Sequence, residues 1–386
     1  MNKCKFNNFK KLIKLFIRKI TNPDHRDYIR FRLIKIKIYC KFCKILRRLI
    51  ITNKILIAFL INEKNLQKRI KISYLIFEYQ RLYGNFKNIS KTRKFYLKLI
   101  SKKEVIENDI NEIISAKIEL GKLKGLRDII SMNTNKKNKI NQIALLDFIE
   151  NKENKNMDII DNSFYKKIYN KTIAVVGPAS PLADNGEQIN RYDYIVRVNT
   201  LITRRVPAIL DKSKTGLRTD IIYYNDWMVN RWRNIILNPE NIYWNVFKNK
   251  KNCEKFINLS KNKSCSNQTT LDFLNGSTTA GAMMIPNILF DLLKYNPKKI
   301  KIFNVDFYFN GFNYMKGYKN FINKARNEKW FVKELRKHDA FFNYELIKLF
   351  LNNKKIEIDK MGMVPLKMNS HDYASRLHKH FSKHTY

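Results

Sequence analysis

The stretch TIAVVGPAS, residues 172–180, decides the fold. Its first five residues are apolar or β-branched and lack the polar alternation of a half-buried strand, and the four residues that follow are small turn formers. A continuous run of this kind, closed by Gly and Pro, is typical of a strand buried on both faces of a parallel sheet. We therefore predict a central parallel strand over residues 172–176.

Similar apolar runs recur downstream and alternate with helical patterns. Further strands are predicted at residues 194–199, 220–225, 300–305 and 354–358, and helices at residues 281–294 and 343–351. Alternation of this kind predicts an α/β fold with a Rossmann-like, doubly wound, mostly parallel sheet. In such sheets, ligands bind beyond the carboxyl ends of the strands.

The chain before this sheet has a different character. Residues 1–100 and 101–131 space their apolar residues at the helical period, with basic residues between them. Residues 133–141 and 150–162 are polar and Lys-rich, a composition typical of linkers. The sequence predicts two domains: a basic, mainly helical N-terminal region at 1–160 and the α/β domain at 161–386.

The charge of the chain is strongly positive. The formal net charge is +43, and residues 1–60 hold 17 Lys or Arg against two acids. A basic amphipathic helix can lie on an anionic membrane surface, so we expect such a surface as a partner. Two alternatives stay open: the apolar stripes pack against the rest of the protein, and a general bias toward Lys, Ile and Asn raises the charge. No nucleic-acid partner is expected, because neither a recognisable binding fold nor aromatic platforms accompany the charge.

The cysteines and the length of the apolar runs indicate where in the cell the protein is located. The five cysteines form no regular framework, which predicts a reducing compartment. Cys40 and Cys43 form a C-x-x-C without a second pair, so no metal site is predicted. No signal peptide is recognisable, and the longest apolar run, residues 49–61, is shorter than the roughly 20 residues of a spanning helix. We expect a cytoplasmic protein, with peripheral attachment to the inner face of the membrane as an option.

Small, polar or aromatic residues follow the predicted strands. They are the loop Gly177–Ser180, Asn199, Asn225 and the stretch 306–314. A loop without side-chain bulk lets backbone N–H groups approach a phosphate or a ribose. It matches neither the dinucleotide fingerprint nor a P-loop. These positions predict a nucleotide site at the carboxyl edge of the sheet.

Four segments, in order, resemble sialyltransferases. Residues 175–177 with 189–199 resemble the long donor-binding motif of the animal enzymes, glycosyltransferase family 29, and residues 277–281 resemble their shorter second motif. The stretch 306–314 is more similar to the bacterial enzymes of glycosyltransferase family 42, which carry two tyrosines at this spacing. His338 stands where those enzymes keep their catalytic histidine. The resemblance covers roughly residues 170–360.

The resemblance implies a sialyltransferase-type variant of the GT-A fold and a metal-independent, inverting transfer of sialic acid, or a related sugar, from a CMP-activated donor. It implies that Asn199 and Asn225 hold the cytidine monophosphate part, that Tyr308 and Tyr314 donate hydrogen bonds to the leaving phosphate, and that His338 is the general base. The implied acceptor is a glycan or a lipid-linked glycan, and no cofactor is implied. The remaining predicted donor-binding residues are Gly177, Ser180, Ser277, Thr278 and Thr279.

Two residues depart from the pattern of the sialyltransferases, and a metal-binding motif of many other glycosyltransferases is absent. Ala280 replaces the family's Ser before the central helix, and Asn343 replaces an acid found in the animal enzymes. Both departures concern the identity of the sugar more than the reaction class. The sequence also contains no Asp-x-Asp pair, which many glycosyltransferases use to hold a divalent ion. A monophosphate leaving group held by phenols needs no such ion, which favours a CMP-sugar over a UDP-sugar.

Two other readings remain open. The chain could be a membrane-surface protein whose α/β domain senses a nucleotide without catalysis, and such a protein needs no base at His338. It could also be another transferase on the same kind of sheet, such as a pyrophosphokinase or a different sugar transferase.

Overall fold

The structure of the chain is a computed structural model. It describes residues 64–82, 89–105, 109–153, 161–198, 211–225, 243–260, 264–274, 282–310 and 339–381. Contacts divide the chain into two units, Met1–Tyr79 and Gln80–Tyr386. The helices between residues 89 and 168 thus belong to the same unit as the sheet, whereas the sequence placed a boundary near residue 160. The predicted membrane-binding residues 1–60 lie outside the described residues.

A seven-stranded sheet lies in the second unit. All of its pairs are parallel, and the strand order is β5-β4-β3-β2-β1-β6-β7. The strands are β1 Thr172–Val176, β2 Tyr194–Val198, β3 Ile221–Tyr224, β4 Trp244–Phe247, β5 Cys265–Asn267, β6 Lys299–Phe303 and β7 Ile356–Ile358. The parallel sheet with flanking helices confirms the predicted Rossmann-like α/β fold. The strand order reverses at β1. The chain runs outward from β1 through β5 and then returns to the other side of β1 as β6.

Helices precede the sheet and alternate with its strands. They are α1 Leu66–Leu82, α2 Ile89–Ile100, α3 Ile110–Glu119, α4 Leu126–Ser131, α5 Lys136–Ile149, α6 Asn162–Ile168, α7 Gly186–Asn190, α8 Lys250–Ser260, α9 Met284–Leu293, α10 Ala340–Phe350, α11 Lys360–Leu366 and α12 Ser370–Phe381. None of the described helices is long and apolar enough to cross a membrane.

The early helices are built into the same core as the sheet. On α3, Ser115 Oγ donates to the carbonyl of Leu274 at 2.6 Å. The ring of Phe148 on α5 packs edge-on against Phe290 of α9, with centroids 5.7 Å apart. Asn353, just before β7, donates its amide to the carbonyl of Phe148 at 2.7 Å. Helices α3 and α5 therefore cover elements of the α/β domain directly.

The prediction of a linker at residues 133–141 was wrong, because α5 begins at Lys136. Asn135 caps the helix by accepting from the amide of Asn138 at 3.0 Å. Gln142 is fully buried; its side-chain oxygen accepts from Asn133 at 2.9 Å and its nitrogen donates to Asn111 at 2.8 Å. These polar residues form hydrogen bonds with one another in the interior, although their composition is typical of a linker.

The structure contains a disulfide that the sequence did not predict. Cys253 on α8 is bonded to Cys265 on β5, and their Cα atoms are 6.3 Å apart. The pair escaped prediction because β5 is a three-residue strand of Cys, Ser and Asn without an apolar signature. Its pairing with β4 brings the strand back beside α8. The predicted reducing compartment therefore loses its support from the cysteines.

Candidate functional site

The strand order reverses between β1 and β6. The chain leaves β1 toward β2 and later returns to pair β6 with the opposite edge of β1, so that Val176 lies beside both Arg197 and Phe303. In open α/β sheets, ligands bind at such a switch point, beyond the carboxyl ends of the strands. The segments that begin there are the loop 177–180 after β1 and the turn 304–310 after β6.

Gly177 fits where the ends of β1 and β6 meet most tightly. A Cβ atom at this position would lie 2.3 Å from Val305 Cγ2 and 2.6 Å from the carbonyl oxygen of Asn304. The amide of Gly177 donates to the carbonyl of Phe303 at 2.8 Å, and that of Ala179 to the carbonyl of Asn304 at 3.1 Å. Both amides, which the sequence offered to a phosphate, are thus used between the strands, while the predicted donor residue Ser180 is half-buried beyond them.

The turn after β6 is held in an unusual backbone conformation. Asn304, Phe307 and Tyr308 have φ angles of 55°, 50° and 64°. Left-handed conformations are uncommon for residues other than Gly and cost of order 1–3 kcal/mol each where the surroundings enforce them. Such positions cluster at functional sites, so the turn is the first candidate for one.

Hydrogen bonds from three elements fix this turn. The amide of Asn304 donates to Asp359 Oδ2 at 2.8 Å, and the amide of Tyr308 donates to Asp306 Oδ1 at 3.0 Å. The hydroxyl of Tyr373, on α12, donates to the carbonyl of Phe307 at 2.6 Å. The turn is therefore pre-shaped by contacts with the N-cap of α11, with α12 and with its own carboxylate.

Two buried polar side chains at this turn have atoms without a hydrogen-bond partner among the described residues. Asn304 is fully buried, and neither its side-chain oxygen nor its nitrogen is bonded. Asp306 is 6% exposed, and its Oδ2 is likewise unbonded. An unsatisfied buried polar group costs about 1–3 kcal/mol, so such groups call for a ligand or an ordered water. The sequence signal was a polar residue, Asn304, at the end of an apolar strand, and it was missed.

The ionisation of Asp306 is perturbed. Burial raises the pKa of its carboxyl to about 6, against hydrogen bonds from the backbone of Tyr308 and from Asn310 that lower it. Burial likewise raises the pKa of Asp359, the N-cap of α11, although the hydrogen bonds that it accepts from the amides of Asn304 and Gly362 oppose the change. A carboxyl that titrates near neutrality beside unsatisfied polar atoms is a mark of a functional site.

Tyr308 connects this turn to the starts of two helices. Its hydroxyl lies 3.8 Å from the sulfur of Met283, the N-cap of α9. The amide of Met283 donates to Asn343 Oδ1 on α10 at 2.6 Å, and Asn343 Nδ2 donates to the carbonyl of Asp339, the N-cap of α10, at 2.7 Å. Asn343 therefore accepts and donates at once, which the carboxylate found in the animal enzymes could not do.

Arg197, within the stretch that resembles the long donor motif, has a structural part. It is fully buried and donates to the carbonyls of Thr215, Gly216 and Arg218 and to Thr219 Oγ1. Burial lowers the pKa of its guanidinium to about 10, with attraction from Asp220 opposing the change. The side chain thereby holds the loop before β3 against β2.

The predicted site residues fall into three groups. Gly177, Ser180 and Tyr308 lie at the switch point, whereas Asn225 follows β3, two strands from β1 and hence roughly 10 Å away at the usual strand spacing. The others lie outside the described residues: Asn199, Ser277, Thr278, Thr279, Tyr314 and His338. His338 directly precedes Asp339 in sequence, and residues 277–279 shortly precede Met283.

A concavity lies at the opposite edge of the sheet. This pocket of about 200 Å³ is lined by Asn296, which precedes β6, by Lys354 and Lys355, which precede β7, and by Lys152. Ligand sites of α/β sheets lie at the other edge, so it is not the candidate site. Among the described residues, no group of three or more His, Cys, Asp or Glu side chains could hold a metal ion.

Comparison with known proteins assigns the chain to no family. No model of a protein family matches the chain, and no curated protein matches its sequence.

Asp306→Asn should remove a pH-dependent cost of folding. The pKa of this carboxyl is about 6 in the folded protein and about 4 in the unfolded chain, so the wild type loses stability as the pH rises from 4 through 6. Two pKa units correspond to about 3 kcal/mol. Between pH 4 and 7.5, the variant should gain roughly this amount in unfolding free energy relative to the wild type, measured by urea denaturation. If the unfolding free energies of the variant and the wild type changed equally between pH 4 and 7.5, the predicted titration of Asp306 would be contradicted.

Proposed function

We propose that this chain is a metal-independent, inverting glycosyltransferase of the sialyltransferase type. Its donor is a CMP-activated sialic acid or related sugar, and its acceptor is a hydroxyl of a glycan or lipid-linked glycan. The support comes from the resemblance at residues 175–199, 277–281, 306–314 and 338, together with the contacts that link Tyr308 to Met283 and Asp339, which lie beside two of the other segments.

The convergence of Tyr308, Met283 and Asp339 carries the proposal. The turn after β6, the start of α9 and the start of α10 are joined by the contacts of Tyr308 with Met283 and of Asn343 with Met283 and Asp339. These three points come from sequence segments up to 56 residues apart, and each adjoins a motif of the resemblance. The contacts among these three described residues, around the turn after β6, favour one shared site over unrelated packing.

The reaction can be written for the groups that this arrangement would supply. His338 accepts the proton of the acceptor hydroxyl, whose oxygen attacks the anomeric carbon from the face opposite CMP. The bond from the anomeric carbon to the phosphate oxygen breaks, and its electron pair leaves with CMP. Tyr308 and Tyr314 donate hydrogen bonds to that phosphate as its negative charge increases. One bond forms at the anomeric carbon as the other breaks, so the configuration inverts.

The donor also explains why the buried polar atoms of the turn are unsatisfied. A nucleoside monophosphate offers hydroxyl donors on its ribose and both donors and acceptors on its base. Asn304, with a free amide oxygen and nitrogen, and Asp306, with a free carboxylate oxygen, can pair with such groups. A non-catalytic nucleotide sensor would use the same contacts and differs only in the absence of a base.

The N-terminal charge supports a membrane location for the acceptor. Residues 1–60 carry 17 Lys or Arg and two acids, which favours their attachment to an anionic surface where lipid-linked glycans reside. This part of the proposal is separable from the catalytic part.

His338→Ala should leave donor binding intact and abolish most of the turnover. A general base contributes about 10²–10⁴-fold to rate, so the release of CMP from CMP-sialic acid in the presence of acceptor should fall by that factor. The dissociation constant for CMP should stay within a few fold of the wild-type value. The matched control is His371→Ala, which changes an exposed histidine on α12. Turnover close to that of the wild type would remove His338 from the mechanism.

Tyr308→Phe should slow turnover by about ten- to a hundred-fold, because a hydrogen bond to a charged oxygen contributes roughly 1.5–3 kcal/mol. The ring is retained, so the melting temperature should scarcely change. Tyr169→Phe, which changes an exposed tyrosine at the end of α6, is the matched control and should be without effect. The assay is run in excess chelator. Loss of transfer in chelator with recovery on adding Mg²⁺ or Mn²⁺ would rule out both the role of Tyr308 and the proposed donor.

A further inference from the structure

Three charged side chains are buried together where α2, α3 and α10 meet. Arg93 on α2 donates to Glu119 Oε2 through Nη2 at 2.6 Å and through Nε at 3.0 Å. Its Nη1 donates to Asp339 Oδ2. The side chains of Arg93, Glu119 and Asp339 are 4%, 1% and 0% exposed. One guanidinium thus joins two carboxylates that are 220 residues apart in sequence.

Burying three charged side chains costs free energy. The role of this cluster is therefore to be sought in the elements that it joins. Burial by itself lowers the pKa of Arg93, but attraction from Asp339 and Glu119 outweighs this and raises the pKa above its ordinary value, so the side chain stays charged. Buried ion pairs often give no net stability compared with apolar residues of the same size. The planar fork of Arg can serve two carboxylates at once, and the single ammonium of Lys cannot reproduce that geometry.

What the cluster holds is the first turn of α10. Asp339 Oδ1 accepts from the amide of Phe342 at 2.9 Å and so caps the helix, while its Oδ2 is bound by Arg93. The carbonyl of the same residue accepts from Asn343, which in turn binds Met283 at the start of α9. Asp339 is therefore fixed at its side chain and at its backbone. His338 is the residue immediately before it in sequence.

We propose that Arg93 is a positioning residue for the transfer reaction. It fixes Asp339, the residue that directly follows His338 in sequence. The inference rests on the proposed function and extends it to a residue of the basic helical region, for which the sequence predicted only membrane binding or packing. Helices α2 and α3 are then part of the catalytic unit.

The test uses three variants of the full chain: Arg93→Met, Arg93→Lys and Asp339→Asn. Displacement of a reacting group by about 1 Å can cost roughly 10²-fold in rate. Arg93→Met should therefore lower kcat by about this factor, with the dissociation constant for CMP within a few fold of the wild-type value. Arg93→Lys should recover part of the loss. Asp339→Asn keeps an oxygen for the cap and loses the charge, so its kcat should also fall.

Two control variants separate positioning from loss of stability. Arg127→Met also removes an arginine that bridges two carboxylates, Asp147 and Glu150, but on the surface, and its kcat should be unchanged. Phe256→Leu loosens the cluster around α8 and β4 at the far side of the sheet and serves as a variant of lowered melting temperature. A kcat for Arg93→Met no lower than that of Phe256→Leu at comparable stability would overturn the inference.

The remaining outcomes are also decisive. If Arg93→Met does not fold, the comparison rests on Arg93→Lys and Asp339→Asn, and wild-type kcat in both would overturn the inference. An active wild type with unaffected Arg93 variants refutes the positioning role alone. A wild type that releases no CMP from CMP-sialic acid with glycan acceptors refutes the proposed function, and the inference falls with it.

Discussion

The close approach of β1 and β6 at their carboxyl ends sets the geometry of everything around the candidate site. It depends on the missing side chain of Gly177, because a Cβ atom there would overlap Val305 and the carbonyl of Asn304. The same carbonyl accepts from Ala179, which ties the two loops together. Asn304 adopts a left-handed conformation at this point, where the strained turn 304–310 begins. Any larger residue at Gly177 would have to separate the strands on which this turn is built.

The sequence predicted the sheet well because buried parallel strands are encoded locally. Residues 172–176 form β1 as predicted, and the strands at 194–198, 221–224 and 299–303 fall within two residues of their predicted bounds. Strands β4 and β5 were missed because a buried Asn245 interrupts the apolar signal of β4, and β5 consists of Cys, Ser and Asn. Strands without an apolar run of their own are defined by their neighbours in the sheet.

The site was only partly predictable, for a related reason. The rule that ligands bind at strand ends pointed to Gly177 and Tyr308, which do lie at the switch point. The unsatisfied atoms of Asn304 and Asp306 follow from packing that no local pattern reveals. The pair of Arg93 and Asp339 joins residues 246 positions apart, and a single sequence contains no signal for such a contact. Asn343 looked like a departure from a family pattern, whereas in the structure its amide bridges two helix starts.

The net charge of the chain and the groups buried at the candidate site differ in sign. The chain carries a net charge of +43, yet the ionisable groups buried at the carboxyl edge of β6 and β7 are acidic, Asp306 and Asp359. Binding of an anionic donor beside them would favour the protonated form of Asp306, whose pKa is already about 6. The proposed site therefore holds its ligand through directed hydrogen bonds, and the basic surface attracts it only at long range.

Hydrogen exchange of the full chain, measured by mass spectrometry with and without CMP in excess chelator, tests the central claim most directly. If the nucleotide binds at the switch point, backbone amides at residues 304–310 and at the starts of α9 and α10 should exchange more slowly with CMP and less so with UMP. Unchanged exchange in these segments would contradict the account. So would protection confined to the opposite edge of the sheet, around Lys152 and Lys354.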